Sequence, residues 1–193
     1  YNVDAIISEE CDIAMPTIAY VAEKMGLPSL GIRCAALYTN KFLMREFSSQ
    51  LNLPYVDYKL CKTPKDVEVF FDELKCNIII KPLDSNSSHG VFKITAKEQI
   101  HEKFDETISF SKVEKVVLAE RYIEGTEFTI DGLKTTEGHV TLAISEKRHY
   151  KHNINIANEL FFSHYNDRFD YDELRRVNDA FVNYSKLPYG TLT

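Results

Sequence analysis

The chain has no tryptophan, no initiator methionine and no excess of basic residues over acidic ones. Its four cysteines, Cys11, Cys34, Cys61 and Cys76, have gaps that fit no CxxC zinc or redox pattern, so a disulfide scaffold and a structural zinc site are poor readings. His139, His149, His152 and His164 form no recognisable zinc set either. No apolar run approaches the ~20 residues needed to cross a bilayer, and the opening Tyr1-Asn2-Val3-Asp4 does not resemble a secretory signal. The formal net charge of -6 argues against a general nucleic-acid binder, which needs a basic stripe. Gly-x-Gly-x-x-Gly after the first strand is missing, which disfavours a dinucleotide oxidoreductase. His-Arg-Asp and Asp-Phe-Gly are missing too, which disfavours a protein kinase. Reduced cysteines and a cytoplasmic, soluble protein are expected, and the absent methionine suggests a fragment.

What the chain does have is 44% hydrophobic residues, with eleven tyrosines and twelve phenylalanines among its 193 residues, enough for a sizeable core. Val3 to Ser8 reads as a short buried strand, and Pro16 to Met25 as a helix with Pro in its first turn. A second helix is expected over Thr39 to Leu51, capped by Thr39 or Asn40, followed by a strand around Tyr55 to Tyr58. Thr63-Pro64 starts a third helix, to Leu74. Asn77 to Leu83 and Val91 to Ile94 read as the strands of a hairpin joined by a polar loop. Thr95 with Glu98 suggests a capping box for a helix over Ala96 to Phe104. Lys115 to Ile123 is another strand, and Glu127 to Ile130 alternates. Asp131-Gly132 is a hairpin-turn signal, with Leu133 to Thr135 and His139 to Ser145 continuing the meander. Residues 146–169 read as irregular. Tyr171 to Lys186 is a helix capped by Asp170, and Thr191-Leu192-Thr193 looks like the start of a strand. The fold class is α+β.

Three segments carry chemistry. Lys81 sits in the apolar strand Ile78-Ile79-Ile80-Lys81-Pro82. It either turns to solvent by alternation or points into a cleft to hold a phosphate oxygen, a role that suits a compact point charge. The loop Ser85-Asn86-Ser87-Ser88-His89-Gly90 is either a surface hairpin tip or a cradle of backbone amides for phosphate. It is not a P-loop, since no Gly-Lys-Ser/Thr opens a helix after it. Glu120 and Glu127, in Glu120-Arg121-Tyr122-Ile123-Glu124-Gly125-Thr126-Glu127, are either solvated charges or acceptors for an adenine amino group and ribose hydroxyls. The backbone of Tyr122 and Ile123 could complete adenine recognition.

Taken together these segments resemble the ATP-grasp superfamily, with the carbamoyl-phosphate-synthetase large chain and biotin carboxylase as the nearest branch. Lys81-Pro82 matches the family's phosphate lysine, and Ser85 to Gly90 its closing hairpin. Glu120, Gly125, Glu127, Asp131 and Gly132 match its Glu-x-x-x-x-Gly-x-Glu strand and the Asp-Gly that follows. Lys41, with Arg45 one turn later, matches an earlier lysine at a helix start. The resemblance implies a truncated ATP-grasp fold preceded by the last strand–helix unit of an α/β domain. Residues 1–35 would be the remnant of that domain, 36–75 linker helices and the first part of the ATP-grasp domain, 76–122 the small nucleotide-binding part with its lid, and 123–193 the truncated start of a larger antiparallel part. It also implies that Lys41, Lys81, Ser87, Ser88, His89 and Gly90 contact phosphate. Glu120, Tyr122 and Ile123 would contact adenine, and Glu127 ribose. His89 departs from the small residue or Arg the family often carries, and either touches phosphate or lies exposed.

The family activates a carboxylate with ATP as an acylphosphate, which an amine or thiol then attacks. The complete protein is therefore expected to be a magnesium-dependent ligase of a small-molecule carboxylate, with a homodimer as the assembly the resemblance allows. The magnesium-binding Glu and Asn residues are expected after Thr193, so the chain by itself is expected to catalyse little. A basic group from the middle region approaches the transferring phosphate in the family; Lys147, Arg148, His149 and Lys151 are candidates with no one of them assigned. A non-catalytic nucleotide-binding module on the same fold is the alternative reading.

Overall fold

The computed structural model describes residues 2–8, 11–85, 88–111, 114–151 and 153–192. The chain divides into two compact units, one of Asn40–Gly125 and one joining Tyr1–Thr39 with Thr126–Thr193.

In the Asn40–Gly125 unit, helix α3 (Lys41–Gln50) starts at Asn40, whose side chain accepts from the amides of Phe42 and Leu43. This satisfies two of the donors that a helix start leaves orphaned. Strand β1 (Tyr58–Cys61) follows, then helix α4 (Pro64–Leu74), where Thr63 and Asp66 form a reciprocal capping box behind the N-terminal proline. Strands β2 (Ile78–Pro82) and β3 (Phe92–Ile94) form the expected hairpin; helix α5 (Ile100–Ser109) and strand β4 (Val117–Arg121) complete the unit. The sheet runs β1-β4-β2-β3 and is antiparallel throughout.

Alternation sorts its two faces. Ile78, Ile80, Ile94, Val117, Ala119 and Cys61 pack with Val67, Phe70, Ile100 and Phe104 of α4 and α5 into one core. Ile79, Lys81, Leu118 and Glu120 point the other way. The core thiol Cys61 is fully buried, and burial followed by the charge of Asp66 pushes it up to about 12. Cys34 is also buried, whereas Cys11 and Cys76 are half-exposed. N-ethylmaleimide, followed by mass spectrometry, will therefore label Cys11 and Cys76 in the native protein, and Cys34 and Cys61 only in denaturant. Native labelling of Cys61 would contradict this packing.

In the other unit, helix α1 (Met15–Met25) ends at Gly26 in the left-handed conformation, as its Met25-Gly26-Leu27-Pro28 sequence suggests. Helix α2 (Ile32–Thr39) is followed, after the inserted unit, by strands β5 (Glu127–Lys134), β6 (His139–Tyr150) and β7 (Asn153–Phe162), helix α6 (Tyr171–Ser185) and strand β8 (Gly190–Leu192). Its sheet order is β7-β6-β5-β8. Helix α6 is capped by Asp170, as expected, and lies against β6.

Several sequence expectations are corrected. Residues 3–8 form no strand: among the described residues no neighbouring strand takes up their backbone groups, and extended chain becomes a strand only with such a partner. The helix expected over Thr39 to Leu51 is α3, with Asn40 of the two candidates as its cap, and α2 before it is a helix the sequence reading did not include. The strand expected at Tyr55 to Tyr58 lies at Tyr58–Cys61. The fifth helix is preceded by a short 3-10 turn and runs to Ser109, and the reciprocal acceptor is Gln99, whose side chain takes the amides of Thr95 and Ala96, rather than Glu98.

Residues 146–162 are mostly strand, the end of β6 and all of β7, because a partner strand and not local propensity organises them. Asp131-Gly132 is no turn but lies inside β5; the reversal occurs at Thr135 to Gly138. Gly132 is needed there for a different reason: a Cβ at that position would come within 2.5 Å of the His139 ring. The pairing shifts at this point, with Asp131 opposite Ala143 and Gly132 opposite Thr141, so Leu142 is a bulge. The bulge lets His139 and Glu146 point to one face despite their odd separation. No described helix is long and apolar enough to cross a membrane.

Candidate functional site

In the Asn40–Gly125 unit the site grows from the face of the sheet opposite the apolar core. Lys81 on β2 pairs with Leu118 and Glu120 on β4 with Ile79, so the two charged side chains are diagonal neighbours on adjacent strands. Lys81 Nζ donates to Glu120 Oε2 at 2.6 Å, and Arg45 Nε, from α3, donates to Glu120 Oε1 at 2.8 Å. The side chains of Lys81 and Glu120 are 14% and 5% exposed. Lys81 is thus not turned to solvent: alternation turns it away from the core, but α3 brings Arg45 over the same face. Burial pushes the Glu120 carboxyl up, and Lys81 and Arg45 outweigh it, leaving the group below its ordinary value.

Lys41, at the first position of α3, reaches the hairpin loop and donates to the carbonyl of Ser85 at 2.6 Å. The described part of the loop is tightly wound. Ser85 Oγ donates to the His89 carbonyl, the Val91 amide donates to the Ser88 carbonyl, and Ser88 and Gly90 both have positive φ. Ser87 and Asn86 lie outside the described residues. His89 is exposed, with its ring beside Phe110. Tyr122 carries the ammonium of Lys93 over its ring at 3.7 Å, and Ile123 is 63% exposed. Lys41, Lys81, Ser88, His89, Gly90, Glu120, Tyr122 and Ile123 therefore belong to one compact unit, with Arg45 as the partner that sequence alone mentions but does not connect. The signal for it was its place one turn after Lys41.

Glu127 belongs to the other unit, at the start of β5, and is exposed. It accepts from Lys147 Nζ at 2.8 Å and lies 3.1 Å from His149 Nε2. Of the four unassigned basic residues, these two meet a site candidate. Arg148 instead pairs with Glu146 and Glu159 on the other side of the strand, and Lys151 is exposed. Among the described residues no group of three or more His, Cys, Asp or Glu side chains could hold a metal ion.

The residues present suit a nucleotide. Two cations converge on one buried carboxylate that still has acceptor capacity for a further donor. The adjoining loop needs a glycine so closely packed that a Cβ at Gly90 would meet Phe110 at 2.9 Å and Pro82 at 3.0 Å. Such a loop brings backbone amides near a ligand where side chains would obstruct.

The α+β architecture is that of the ATP-grasp fold. Residues 74–164, just under half of the chain, match the family model for the ATP-grasp domain. By sequence it is similar to the D-alanine–D-alanine ligase of Haemophilus ducreyi, 26% identical over 112 residues, which are 56% of this chain and 36% of that protein. By structure it is similar to an L-amino acid ligase from Bacillus licheniformis (TM-score 0.75, 21% identity, 97% of this chain and 43% of the other). It is also similar to a biotin carboxylase from Campylobacter jejuni (TM-score 0.79, 11% identity, 98% and 45%). The likeness to the biotin carboxylase, at 11% identity, is one of fold. The chain spans 36% of the length of the curated relative.

Proposed function

We propose that the protein to which this chain belongs is an ATP-dependent ligase joining a small-molecule carboxylate to an amine, and that the chain supplies most of its nucleotide site. The observation that carries the reading is the buried Arg45–Glu120–Lys81 cluster in the unit whose hairpin loop is held by Lys41. The relatives named D-alanine–D-alanine ligase and L-amino acid ligase support an amino acid as carboxylate and as amine. In the proposed chemistry a carboxylate oxygen attacks the terminal phosphorus of ATP and the bond to ADP breaks. The amine then attacks the acyl carbon, phosphate leaves, and the amine loses a proton.

Lys41 and Lys81 hold phosphate oxygens by charge-assisted hydrogen bonds, and the loop over 85–90 excludes water. Glu120 and the backbone of Tyr122 and Ile123 receive adenine. Glu127 accepts from the ribose hydroxyls, with Lys147 and His149 holding its carboxylate. Magnesium, when bound, neutralises polyphosphate charge; no described residue is assigned to it.

The test is a calorimetric titration of magnesium-ATP into the wild type and a Lys81→Ala/Glu127→Ala double variant. Each lost charge-assisted bond is worth about 1.5–3 kcal/mol, so affinity should fall at least ~100-fold. A wild type that binds no ATP sinks the reading. Binding without ADP release on addition of amino acids would favour the non-catalytic nucleotide module instead.

A further inference from the structure

Lys81 is already engaged by Glu120 at 2.6 Å, with both side chains nearly buried. A lysine committed one-to-one to a buried carboxylate is a neutral pair, and an incoming polyphosphate would have to compete with Glu120 for it. The structure removes that difficulty with a second cation. Arg45 Nε donates to Glu120 Oε1 at 2.8 Å, while its Nη2 lies 3.5 Å from Oε2, the oxygen that Lys81 uses. Glu120 is 4% exposed, so no bulk water shares in solvating its charge.

Two cations on one carboxylate leave the cluster with one positive charge in excess, in a place where low polarity lets that charge act strongly on an anion. The guanidinium fork also fixes the carboxylate in the plane from which Lys81 is aimed. Arg45 lies one turn after Lys41 on α3, so the helix that carries one lysine to the loop also carries the neutralising group to the sheet.

We propose that Arg45 is a positioning residue for phosphate recognition: by sharing Glu120 it leaves the charge of Lys81 available to the nucleotide phosphates without itself touching them. This rests on the ATP-binding reading above and gives Arg45, which that reading only counts in the cluster, a role of its own. The prediction concerns the increment in affinity added by phosphates, not affinity as a whole. AMP, ADP and ATP are titrated by calorimetry into the wild type, Arg45→Gln, Arg45→Lys and Arg45→Gln/Glu120→Gln, at two salt concentrations, with thermal melts as a check on folding.

In the wild type, affinity rises from AMP to ATP and the rise weakens with salt. In Arg45→Gln the ATP-to-AMP affinity ratio falls about tenfold, the size of one charge-assisted contact. Arg45→Lys recovers part of it. The double variant restores the ratio, because Lys81 again carries an unshared charge, even where the loss of Glu120 weakens all three nucleotides alike.

A merely structural Arg45 would weaken AMP and ATP equally and leave the ratio unchanged, which overturns the proposal. So does a double variant whose ratio stays as low as that of Arg45→Gln. Should Arg45→Gln not fold, the double variant, with an amide pair in place of the ion pair, and Arg45→Lys still decide the matter by the same ratio. A wild type that binds none of the three nucleotides removes the ATP reading itself, an outcome distinct from ATP binding with an unaltered ratio in the variants.

Discussion

Replacing Glu120 by alanine should cost the protein about 3–5 kcal/mol of stability, the typical result of removing one member of a buried ion pair. The loss is large because the Lys81 side chain, 14% exposed, loses the anion that offsets its burial, and burial already pushes its ammonium down. Arg45→Ala should cost far less, about 1 kcal/mol. Its side chain is 32% exposed, and Glu120 keeps Lys81 after it is gone. The order Glu120 above Arg45 is therefore the signature of a carboxylate held by two cations.

A pH dependence accompanies it. The Glu120 carboxyl is held below the ordinary 4.5: burial alone would raise it, but Lys81 and Arg45 outweigh burial. A depressed carboxyl stabilises the folded state fully above its unfolded value and loses that contribution as pH falls through the folded value. Urea unfolding at pH 7, 4 and 3 should show the wild type losing stability over the acid range, and Glu120→Ala losing less over the same range. Equal acid slopes, or a cost at pH 7 below 1 kcal/mol, would mean that the three charges do not form the cluster seen here.

The parts legible in sequence share one property: their signals are local. Thr63-Pro64 with Asp66 made a cap, Asn77 to Leu83 made a strand, and Asp170 capped the final helix, all from residues within a few positions of each other. The errors fall where the deciding partner is distant. Residues 3–8 have the composition of a strand but no strand partner among the described residues, while 146–162 have weak strand signals and a long ladder. Asp131-Gly132 is the instructive case. The dipeptide suits a hairpin turn, yet the glycine serves the approach of His139 from the next strand, and a bulge at Leu142 absorbs the register.

The site follows the same rule. Lys81 and Glu120 could each be singled out, because a charge in an apolar strand is conspicuous, but what each one faces could not. Thirty-nine positions separate them in the chain, and the third member, Arg45, is 75 from Glu120. Register supplied the first pairing and the placement of α3 the second. Glu127 likewise stood out as a carboxylate after a glycine turn. That Lys147 and His149 are its neighbours follows from the β5–β6 ladder, in which Glu127 lies opposite Lys147. A basic stretch that reads as a solvated loop thus becomes a strand whose alternate residues serve one carboxylate, while Arg148 between them serves Glu146 and Glu159.

The second large effect is expected at Gly90, where two independent costs meet. Its φ is +72°, a conformation that L side chains adopt at a cost of about 1–2 kcal/mol. A Cβ there would also lie 2.9–3.0 Å from Phe110 and 3.0 Å from Pro82, and overpacking of this kind costs about 1–3 kcal/mol. Gly90→Ala should therefore destabilise the protein by about 2–5 kcal/mol, toward the lower end if the exposed Phe110 ring swings away, since buried Pro82 cannot. Gly125 is the control: it has open space around its Cβ position and no positive φ, so Gly125→Ala should stay within about 0.5 kcal/mol of the wild type.

A double-mutant cycle separates the two costs. Phe110→Ala removes the ring contact but leaves its own Cβ, Pro82 and the backbone conformation in place, so Gly90→Ala in that background should recover only part of its loss. Full recovery would mean that the backbone at Gly90 carries no strain. A Gly90→Ala variant as stable as the wild type would mean that the loop is not wound as tightly as the Ser88–Val91 and Ser85–His89 bonds hold it. Because the same loop is proposed to close over phosphate, a destabilised but folded Gly90→Ala should also bind ATP more weakly than AMP binding predicts, the added Cβ obstructing the backbone approach that the glycine permits.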